Sequence, residues 1–500
     1  MSMVINTNTA SLVAQAAQAK TSSAMDTAME RLSTGKRINT AADDAAGIAI
    51  STRLEANIRG LNMAIKNAAD GQSLIDTAEG AMNEQANILQ RMRELAVQSS
   101  NDTNSATDRL AIQDEMTQLR TELDRIASTT TWAGDKLLDG NFLSKNFQIG
   151  AKASENVSVS IGSTSSSSLG VYRLDTTAQT MGVTDETTTK TATDFDVLGK
   201  EGAAEAAFTA GSDAKAVAAA VNADSSSTGV TATAVTKARI SLAAVPVSAV
   251  TMTINGGGTA TAISASVVSN NDLTALKDAI NAVGGTTQVT ATFDGTDKSK
   301  LILTEADGDD ILLQNFGNGA TTNLSVEAGN YDGTSWETAV NVAGHATPQN
   351  DAIVNGVVRM ESSQSFTVSD QEAGTSDLSA VTGYFGTSGG GTASLSATSS
   401  ISLGTLAGAQ SAISVLDGAI ARVNEIRSDL GAISNRLDHT INNLSNVVVN
   451  TEASQSRIED ADFAAETSNL TKAQILSQAA TAMLAQANAS KQSVLSLLQG

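Results

Sequence analysis

The chain has 500 residues, with 31 Lys and Arg against 53 Asp and Glu and a formal net charge of -22 at pH 7. A surface this acidic argues against nucleic acid and anionic membranes as partners. The absence of cysteine excludes disulfides, thiolate metal sites and cysteine nucleophiles. No apolar run is long enough to span a membrane, and residues 1–19 lack the basic and apolar regions of a secretory signal. Export would therefore need a route without a cleaved signal.

Helical patterns dominate the first 130 residues. Residues 1–34 predict a weakly amphipathic helix that is poor in bulky side chains and ends at Gly35. Asp43 and Asp44 suit the N-terminus of a second helix, because carboxylates are favoured there. A further helix is expected to turn an apolar side inward, made of Leu110, Met116, Leu119, Leu123 and Ile126.

Two stretches near opposite ends of the chain carry the same apolar spacing of alternately three and four residues. Residues 54–96 follow it with only Gln72, Glu79 and Arg93 as polar interruptions, and residues 413–448 repeat it. This is the spacing of a coiled-coil-like seam. Because each stripe needs a partner to bury it, we expect the two helices to pack together.

The middle of the chain has the alternation of β-strands. Residues 156–161 read as a half-buried strand and the serine run 163–168 as a loop. An internal repeat relates residues 216–234 to residues 275–293 by a shift of 59 positions. Each copy reads as a short helix, a turn and a strand, which indicates a duplicated α+β module. Asn271 or Asp272 could cap the second helix.

These patterns predict an α+β multidomain fold. Long coiled-coil-like helices from both termini would form a rod, and a β-rich α+β insert would interrupt it. The terminal helices are mostly Ala, Ser, Gln and Thr, so each buries little apolar area against the entropy of ordering. Two arrangements stay open: ends that are disordered in the monomer and fold on polymerisation, or a helix pair docked on its own domain.

Ordered motifs at both ends give the chain a resemblance to bacterial flagellin, the filament subunit of the flagellum. The motifs are VINTN at residues 4–8, RLSTG at 31–35, AADDAAG at 41–47, QRMRELAVQ at 90–98, SRIEDADF at 456–463, KAQIL at 472–476 and LAQAN at 484–488. The resemblance covers about residues 1–175 and 405–500, and the middle corresponds to the variable region of the family.

The resemblance implies a layered architecture in a filament. Residues 1–44 and 456–500 would form an inner coiled-coil tube. Residues 45–176, with a β-hairpin, and residues 405–455 would form the outer tube. Residues 177–404 would be the surface-exposed insert, made of two small modules.

The resemblance also implies partners and a location. The chain would polymerise with itself, be secreted through the flagellar type III apparatus, and meet a filament cap protein and a hook–filament junction protein. A secretion chaperone would bind the C-terminal tail. The tail residues expected to mediate assembly and chaperone binding are Ile475, Leu476, Leu484, Leu495 and Leu498.

Two further sites follow from the matched motifs. Gln90, Arg91, Leu95 and Glu115 match the segment by which Toll-like receptor 5 senses flagellins, with Arg91 and Leu95 on one helical face. The same surface could instead pack axially between subunits, in which case the receptor would need the monomer. A hinge linker, with Gly35, Asp43 and Gly47, would accommodate small shifts between filament shapes.

Enzyme and metal chemistry find little support. The histidines are His345 and His439, no HExxH motif occurs, and no catalytic triad or phosphate loop stands out. Asp307, Asp309 and Asp310 lack the spacing of a calcium loop, so we interpret them as a solvated acidic turn. We therefore expect no catalytic residues, metal or cofactor. The alternatives are a hook–filament junction protein, or a secreted adhesin or immune ligand acting through the insert.

Overall fold

The computed structural model describes residues 7–183, 194–209, 211–244, 249–317, 323–343, 351–369 and 391–499, with side chains omitted for 179–183 and 491–499. Its contacts divide the chain into two compact units. The first comprises Met1–Asp76, Ser144–Ser160 and Leu430–Gly500, and the second comprises Thr77–Leu143 and Ile161–Asp429. The bounds of these units differ from those of the layers predicted above. The layers describe the assembled filament, and they stay a prediction.

Long helices lie at both ends of the described chain, and short ones lie in the insert. They are α1 Thr9–Thr34, α2 Ala45–Ser99, α3 Ala106–Thr129, α4 Ala214–Ala223, α5 Ser225–Thr228, α6 Thr274–Ala282, α7 Gly284–Thr287, α8 Leu406–Glu459 and α9 Phe463–Gln499, with a 3₁₀ turn at Thr398–Ser400. The predicted fold class is confirmed: long helices from both termini flank a β-rich insert.

All pairings among the described strands are antiparallel. The strands are β1 Thr131–Trp132, β2 Asp135–Lys136, β3 Lys145–Gln148, β4 Asn156–Val159, β5 Gly170–Asp175, β6 Gln179–Val183, β7 Asp194–Leu198, β8 Ala203–Ala207, β9 Thr231–Leu242, β10 Val250–Asn255, β11 Thr261–Ala265, β12 Thr290–Asp294, β13 Asp297–Glu305, β14 Ile311–Gly317, β15 Asn323–Ala328, β16 Val340–Ala343, β17 Asp351–Asn355, β18 Val357–Ser362, β19 Thr367–Ser369, β20 Gly391–Thr392 and β21 Ser394–Ala397. Two hairpins, β1–β2 and β3–β4, form separate two-stranded sheets. A five-stranded sheet runs β11-β10-β14-β17-β6 and a four-stranded one β20-β19-β7-β8. An eight-stranded sheet runs β12-β13-β9-β18-β5-β21, with β15 and β16 branching from β9.

The polar residues that interrupt the predicted seam on α2 make hydrogen bonds and ion pairs with α8. In the first unit, Gln72 donates a hydrogen bond to Asp438. In the second unit, Arg93 Nε lies 2.6 Å from Asp417 Oδ1, and Arg427 Nη2 lies 3.5 Å from Glu79 Oε1. Later residues of α2 meet earlier residues of α8, so the helices are antiparallel there. Buried residues such as Ile75, Met82 and Leu89 confirm the apolar stripe between these polar positions.

The inward side of α3 differs from the prediction at Leu110. Ile112, Met116, Leu123 and Ala127 are buried, whereas Leu110 is exposed. Positions two residues apart in a helix differ by about 200° around its axis. Because Ile112 faces the core, Leu110 therefore faces away from it. The predicted apolar side is therefore wrong at the first turn of α3, where Ile112 takes the place expected for Leu110.

The insert has two hydrophobic cores. The first gathers α4, β7 and β19, with Val217 and Phe366 at its centre. The second gathers α6 with the β10–β14 region, and Leu276 and Ile311 are buried in it. Strands β9 and β18 contribute to both cores, because their successive buried residues belong to different clusters. The two modules are therefore joined through shared strands.

The internal repeat is visible as an identical hydrogen-bond clamp. Asn222 on α4 donates to the Ala232 carbonyl at 2.7 Å and accepts from the Ala232 N–H at 2.8 Å. Asn281 on α6 makes the same pair of bonds with Ala291, at 2.9 and 2.7 Å. Each asparagine thus ties its helix to the strand that follows. Neither cap candidate occupies the N-cap position of α6, which is Leu273 and has no side-chain cap. Asp272, one residue earlier, accepts from the Thr274 N–H at 3.0 Å.

We expect Asn222→Ala and Asn281→Ala each to lower the free energy of unfolding of the insert by about 1–3 kcal/mol. Each change leaves a backbone N–H and C=O without their side-chain partner. Urea unfolding of the full chain measures the loss, with Asn271→Ala at an exposed site as the control. Equal stability of all three variants would contradict the clamp.

Candidate assembly and receptor-binding surfaces

The two terminal helices form a pair with an apolar outer surface. Asn8 donates to the Ala487 carbonyl at 3.3 Å, and Arg31 Nη1 lies 3.2 Å from Glu466 Oε1. Few side chains are buried between them: in α1 only Ser11 and Ala28 are. Small residues allow close approach of the helices but contribute little apolar area.

Seven of the described bulky side chains of this pair are exposed. They are Leu12, Val13 and Met29 on α1, and Phe463, Ile475, Leu476 and Met483 on α9, with Val13 69% exposed and Met483 65% exposed. A groove of about 710 Å³ runs along both helices, lined by Val13, Leu476 and Met483. An apolar surface of this kind marks an interaction site. Of the predicted tail residues, Leu484 is half-buried, and the side chains of Leu495 and Leu498 lie outside the described residues.

The predicted hinge linker is hydrogen-bonded to the C-terminal linker between α8 and α9. The Arg37 N–H donates to the Glu459 carbonyl at 2.6 Å, and the Ala461 N–H donates to the Gly35 carbonyl at 2.9 Å. Gly35 adopts a left-handed conformation, with φ of 71°, and ends α1. The two linkers are therefore fastened to each other by their backbones.

The Glu459 carboxylate stands at the centre of this junction. It forms an ion pair with Lys36 and accepts from Ser51 Oγ at 2.8 Å. The hydrogen bond from Lys36 holds the pKa of Glu459 below its usual range, and Ser51 lowers it further. A carboxyl pKa lowered by folding contributes stability at pH values above the unfolded pKa. That contribution is lost as pH falls through the lowered pKa.

The end of the hinge linker that enters α2 is constrained as well. Asp43 Oδ2 accepts from the Thr40 N–H at 2.8 Å and from its hydroxyl at 3.0 Å, which lowers the pKa of Asp43. Asp44 Oδ1 accepts from the Gly47 N–H at 2.9 Å and caps α2. A Cβ at Gly47 would lie 2.5 Å from Asp44 Oδ2 and 2.6 Å from Ile38 Cδ1. Only glycine therefore leaves this cap undisturbed.

The predicted receptor-binding residues are brought together except for one. Arg91 on α2 binds Glu115 on α3 through Nε at 3.1 Å and Nη2 at 2.9 Å. Arg91 Nη1 also lies 2.8 Å from Glu94 Oε2, a contact that the spacing of three residues could have predicted. These hydrogen bonds raise the pKa of Arg91. Gln90 is exposed beside them.

Leu95 is the exception, because it was expected on the surface and is only 1% exposed. Residues four apart on a helix differ by about 40° around the axis. The edge of the apolar stripe passes between these two positions. The long Arg91 side chain reaches solvent, whereas Leu95 packs inward with Met92 and Ala96.

The prediction of a solvated acidic turn holds for Asp307, which is exposed, but is wrong for Asp309, which is only 8% exposed. Glu305 is 2% exposed and accepts the N–H groups of Gly308 and Asp309 at 2.6 and 2.7 Å. Lys215 Nζ lies 2.9 Å from Asp309 Oδ2. The carboxyl oxygens of Glu305, Asp307 and Asp309 lie within 4.8 Å of one another. Backbone donors and a lysine already satisfy them, so we assign no metal here. His439 is exposed, and His345 lies outside the described residues.

None of the described helices has a stretch long and apolar enough to cross a membrane.

Comparison with known proteins identifies the class. The family model for the bacterial flagellin N-terminal helical region matches residues 5–142, and that for the C-terminal helical region matches residues 413–498. The flagellin hook IN motif matches twice, at residues 191–245 and 251–307. These two matches contain the two copies of the internal repeat.

Relatives match along their whole length. B-type flagellin of Pseudomonas aeruginosa is 38% identical and flagellin B of Vibrio cholerae is 36% identical, each with 100% of both chains covered. FliC from Burkholderia pseudomallei aligns with 20% identity and a TM-score of 0.30, over 73% of this chain and 99% of that one. That superposition is too loose to carry an argument, and the assignment rests on the sequence matches.

The chain belongs to the bacterial flagellin family. It is a structural subunit that polymerises into the flagellar filament, an extracellular appendage. Full-length agreement with proteins named flagellin does not favour the junction-protein alternative.

Proposed function

We propose that the α1–α9 pair is the main polymerisation contact of this filament subunit. Residues 1–44 and 456–500 would form the inner layer, residues 45–176 and 405–455 the outer layer, and residues 177–404 the surface insert. The observation that carries this proposal is the exposure of most of the described bulky side chains of the pair. Neighbouring subunits would cover these side chains and gain about 25 cal/mol for each Å² removed from water.

The same apolar tail suits the other predicted partners. Before export, a secretion chaperone would cover Ile475, Leu476 and Leu484 and so prevent premature polymerisation. During assembly, the cap protein and the junction protein would meet the terminal helices at the two ends of the filament. Export as a secreted protein through the flagellar apparatus belongs to this proposal. In this proposal the chaperone covers this apolar surface before export, and assembly partners cover it afterwards. The subunit therefore leaves the surface exposed.

We expect Ile475→Gln to raise the critical concentration for seeded polymerisation about tenfold or more. The apolar contact of an isoleucine is worth about 1.5–3 kcal/mol, and 1.4 kcal/mol is about tenfold. Glutamine keeps the helix propensity, so the circular dichroism of the monomer should not change. Electron microscopy of seeded filaments measures the effect. Gln478→Ala, at an exposed polar position of α9, is the control, and equal polymerisation of the two variants would sink the proposal.

The junction of the two linkers is proposed to act as a hinge that moves as one piece. Backbone bonds between residues 35–37 and 459–461 couple the ends of α1 and α8. Shifts between filament shapes would then occur at Gly35, Asp43 and Gly47 together with the C-terminal linker, and Glu459 would set the preferred position.

We expect Glu459→Gln to change the filament waveform without blocking assembly. Glutamine can still accept from Ser51 but loses the charge that binds Lys36. Dark-field microscopy of filaments gives the waveform. Glu452→Gln, at an exposed position of α8, should leave it as it was. A wild-type waveform in Glu459→Gln would show that the junction does not set filament shape.

A second proposed role is recognition of the monomer by Toll-like receptor 5 through Gln90, Arg91 and Glu115. The arginine is held in place by Glu94 and Glu115, so it is ordered before a partner binds. Leu95 is buried beneath this face and would support it rather than contact the receptor. If the face also packs between subunits, polymerisation would hide it.

We expect Arg91→Ala to weaken receptor signalling by the monomer about tenfold or more, as for an arginine at the centre of an interface. Arg125→Ala, which removes an exposed arginine paired with Glu122, should leave signalling unchanged in the same reporter cells. Leu95→Ala should instead lower the free energy of unfolding by about 2–5 kcal/mol. A folded, stable Leu95→Ala variant that does not signal would place Leu95 in the contact and contradict this arrangement.

A further inference from the structure

A short segment between β15 and β16 lies over one face of the eight-stranded sheet. It comprises residues 329–337, and we call it the strap. The Asn330 N–H donates to the Ser335 carbonyl at 3.0 Å, and the Gly333 N–H donates to the Asn330 carbonyl at 2.9 Å. The Asn330 side chain also accepts from the Thr334 N–H at 2.8 Å. The strap therefore pairs much of its backbone within itself and does not need the sheet for this.

The face beneath the strap is polar, because side chains alternate between the two faces along a strand. On β9, Ala238 turns into the second core, so its neighbours Lys237 and Arg239 lie on the opposite face. Arg359 on β18 pairs with Thr233 of β9 and shares that opposite face. The strap therefore lies on the side of the sheet that carries cationic groups from two strands.

Arg359 forms the first anchor of the strap. Its Nη1 and Nη2 each lie 2.8 Å from a carboxyl oxygen of Asp332. Its guanidinium carbon lies 4.0 Å from the centre of the Tyr331 ring, and the Tyr331 hydroxyl lies 2.8 Å from Thr233 Oγ1. Because Arg359 is only 5% exposed, its ionic and ring contacts are stronger than they would be in water.

The Asp332 carboxylate is ionised when it binds Arg359. Burial acts to raise the pKa of Asp332, but the hydrogen bonds from Arg359 outweigh this effect and hold that pKa below its usual range. At neutral pH the first anchor is therefore a bond between opposite charges.

Arg239 forms the second anchor, where the two ends of the strap meet. Its guanidinium carbon lies 4.7 Å from the centre of the Trp336 ring. The same ring packs on the backbone of the strap, because a Cβ at Gly329 would lie 2.7 Å from Trp336 Cζ3. The Gly329 N–H donates to the Lys237 carbonyl at 2.9 Å and ties the base of the strap to β9. Two arginines thus hold two separate parts of the strap.

Carboxylates of the sheet hold both arginines independently of the strap. Asp175 on β5 accepts from Arg359 Nε at 2.8 Å, and Glu327 on β15 accepts from Arg239 Nε at 2.6 Å. Arg239 Nη1 also lies 3.2 Å from Asp294 Oδ2. A cation buried without a partner is costly, but here each arginine keeps a carboxylate when the strap leaves.

The strap also shields a lysine of β9. A Cβ at Gly333 would lie 3.1 Å from Lys237 Cδ and 3.3 Å from Lys237 Nζ, so the backbone of the strap packs directly on this side chain. Burial lowers the pKa of Lys237. The access of water to this amine therefore depends on the position of the strap.

We propose that the strap is a lid that closes and lifts as one piece over the polar face of the insert. Its internal hydrogen bonds keep its shape, and its two anchors act together because one connected segment carries both. When the strap lifts, the strands beneath it stay paired, because each anchoring arginine keeps its partner on the sheet. Lifting exposes Arg359 and Lys237, which the closed strap covers.

The test uses Trp336 as a reporter in the full chain. The sequence has two tryptophans, so Trp132→Phe leaves Trp336 as the single one. In this background, Asp332→Asn removes the charge of the first anchor and leaves the contact between Trp336 and Arg239 in place. If the strap moves as one piece, acrylamide quenching of Trp336 fluorescence should rise about twofold or more, because local opening exposes the ring. Tyr331→Leu removes the stacked ring of the same anchor and should also raise the quenching.

Glu337→Gln is the matched control. It makes the same change from acid to amide at an exposed position of the strap, and it should leave the quenching of Trp336 unchanged. Hydrogen exchange of residues 357–362 on β18, resolved by mass spectrometry, is the second readout. In Asp332→Asn this exchange should stay as in the background chain, because the strands beneath the strap remain paired.

Three outcomes would overturn the lid. Unchanged quenching in Asp332→Asn or in Tyr331→Leu would show that the two anchors act independently. Increased quenching together with faster exchange in residues 357–362 would make the strap a part of the sheet. An equal rise in Glu337→Gln would show that any loss of charge loosens this segment, and it would contradict the role of Arg359.

Discussion

Both compact units depend on the burial of apolar stripes on α2 and α8, two helices from opposite ends of the chain. The ion pair between Arg93 and Asp417 joins residues 324 positions apart. Neither stripe is stable in water alone, because most helix stability in proteins comes from packing an apolar face. The polar residues that interrupt the stripe on α2 meet polar partners on α8, which favours one register of the pair over its neighbours.

The insert is attached to this helical framework by polar contacts. Arg173 on β5 binds Glu361 and donates to Ser411 Oγ on α8 at 2.8 Å. Glu425, further along α8, accepts from Gln364 and pairs with Lys200. The contacts of Arg173 are largely shielded from water, so they are stronger than surface ion pairs. The hydrophobic cores of the insert are built from its own strands and helices, and these hydrogen bonds and ion pairs are polar contacts that link it to α8.

The terminal helices differ from α2 and α8 in where their large side chains lie. They keep their few large side chains on the outside and pack against each other through small ones. For an isolated subunit this leaves apolar surface in water, and under the proposed assembly neighbouring subunits would cover it. The stability of these helices would then depend on assembly.

The sequence by itself determined the long helices, the internal repeat and the family. These features depend on neighbours three or four residues apart, or on motifs in the chain itself, so periodicity is enough to find them. It also predicted that Gln72, Glu79 and Arg93 break the seam, although not that each would find a partner on α8.

The tertiary structure alone decided which side of a helix is covered. Leu95 was expected on the surface and is buried, whereas Leu110 was expected in the core and is exposed. The elements that pack against α2 and α3 fix the rotation of each helix about its axis, and so decide which side is covered. In the same way Asp309 of the acidic turn is buried because Lys215 on α4, from the other copy of the repeat, lies against it. Burial of a charge depends on what packs beside it, and local sequence carries no record of that.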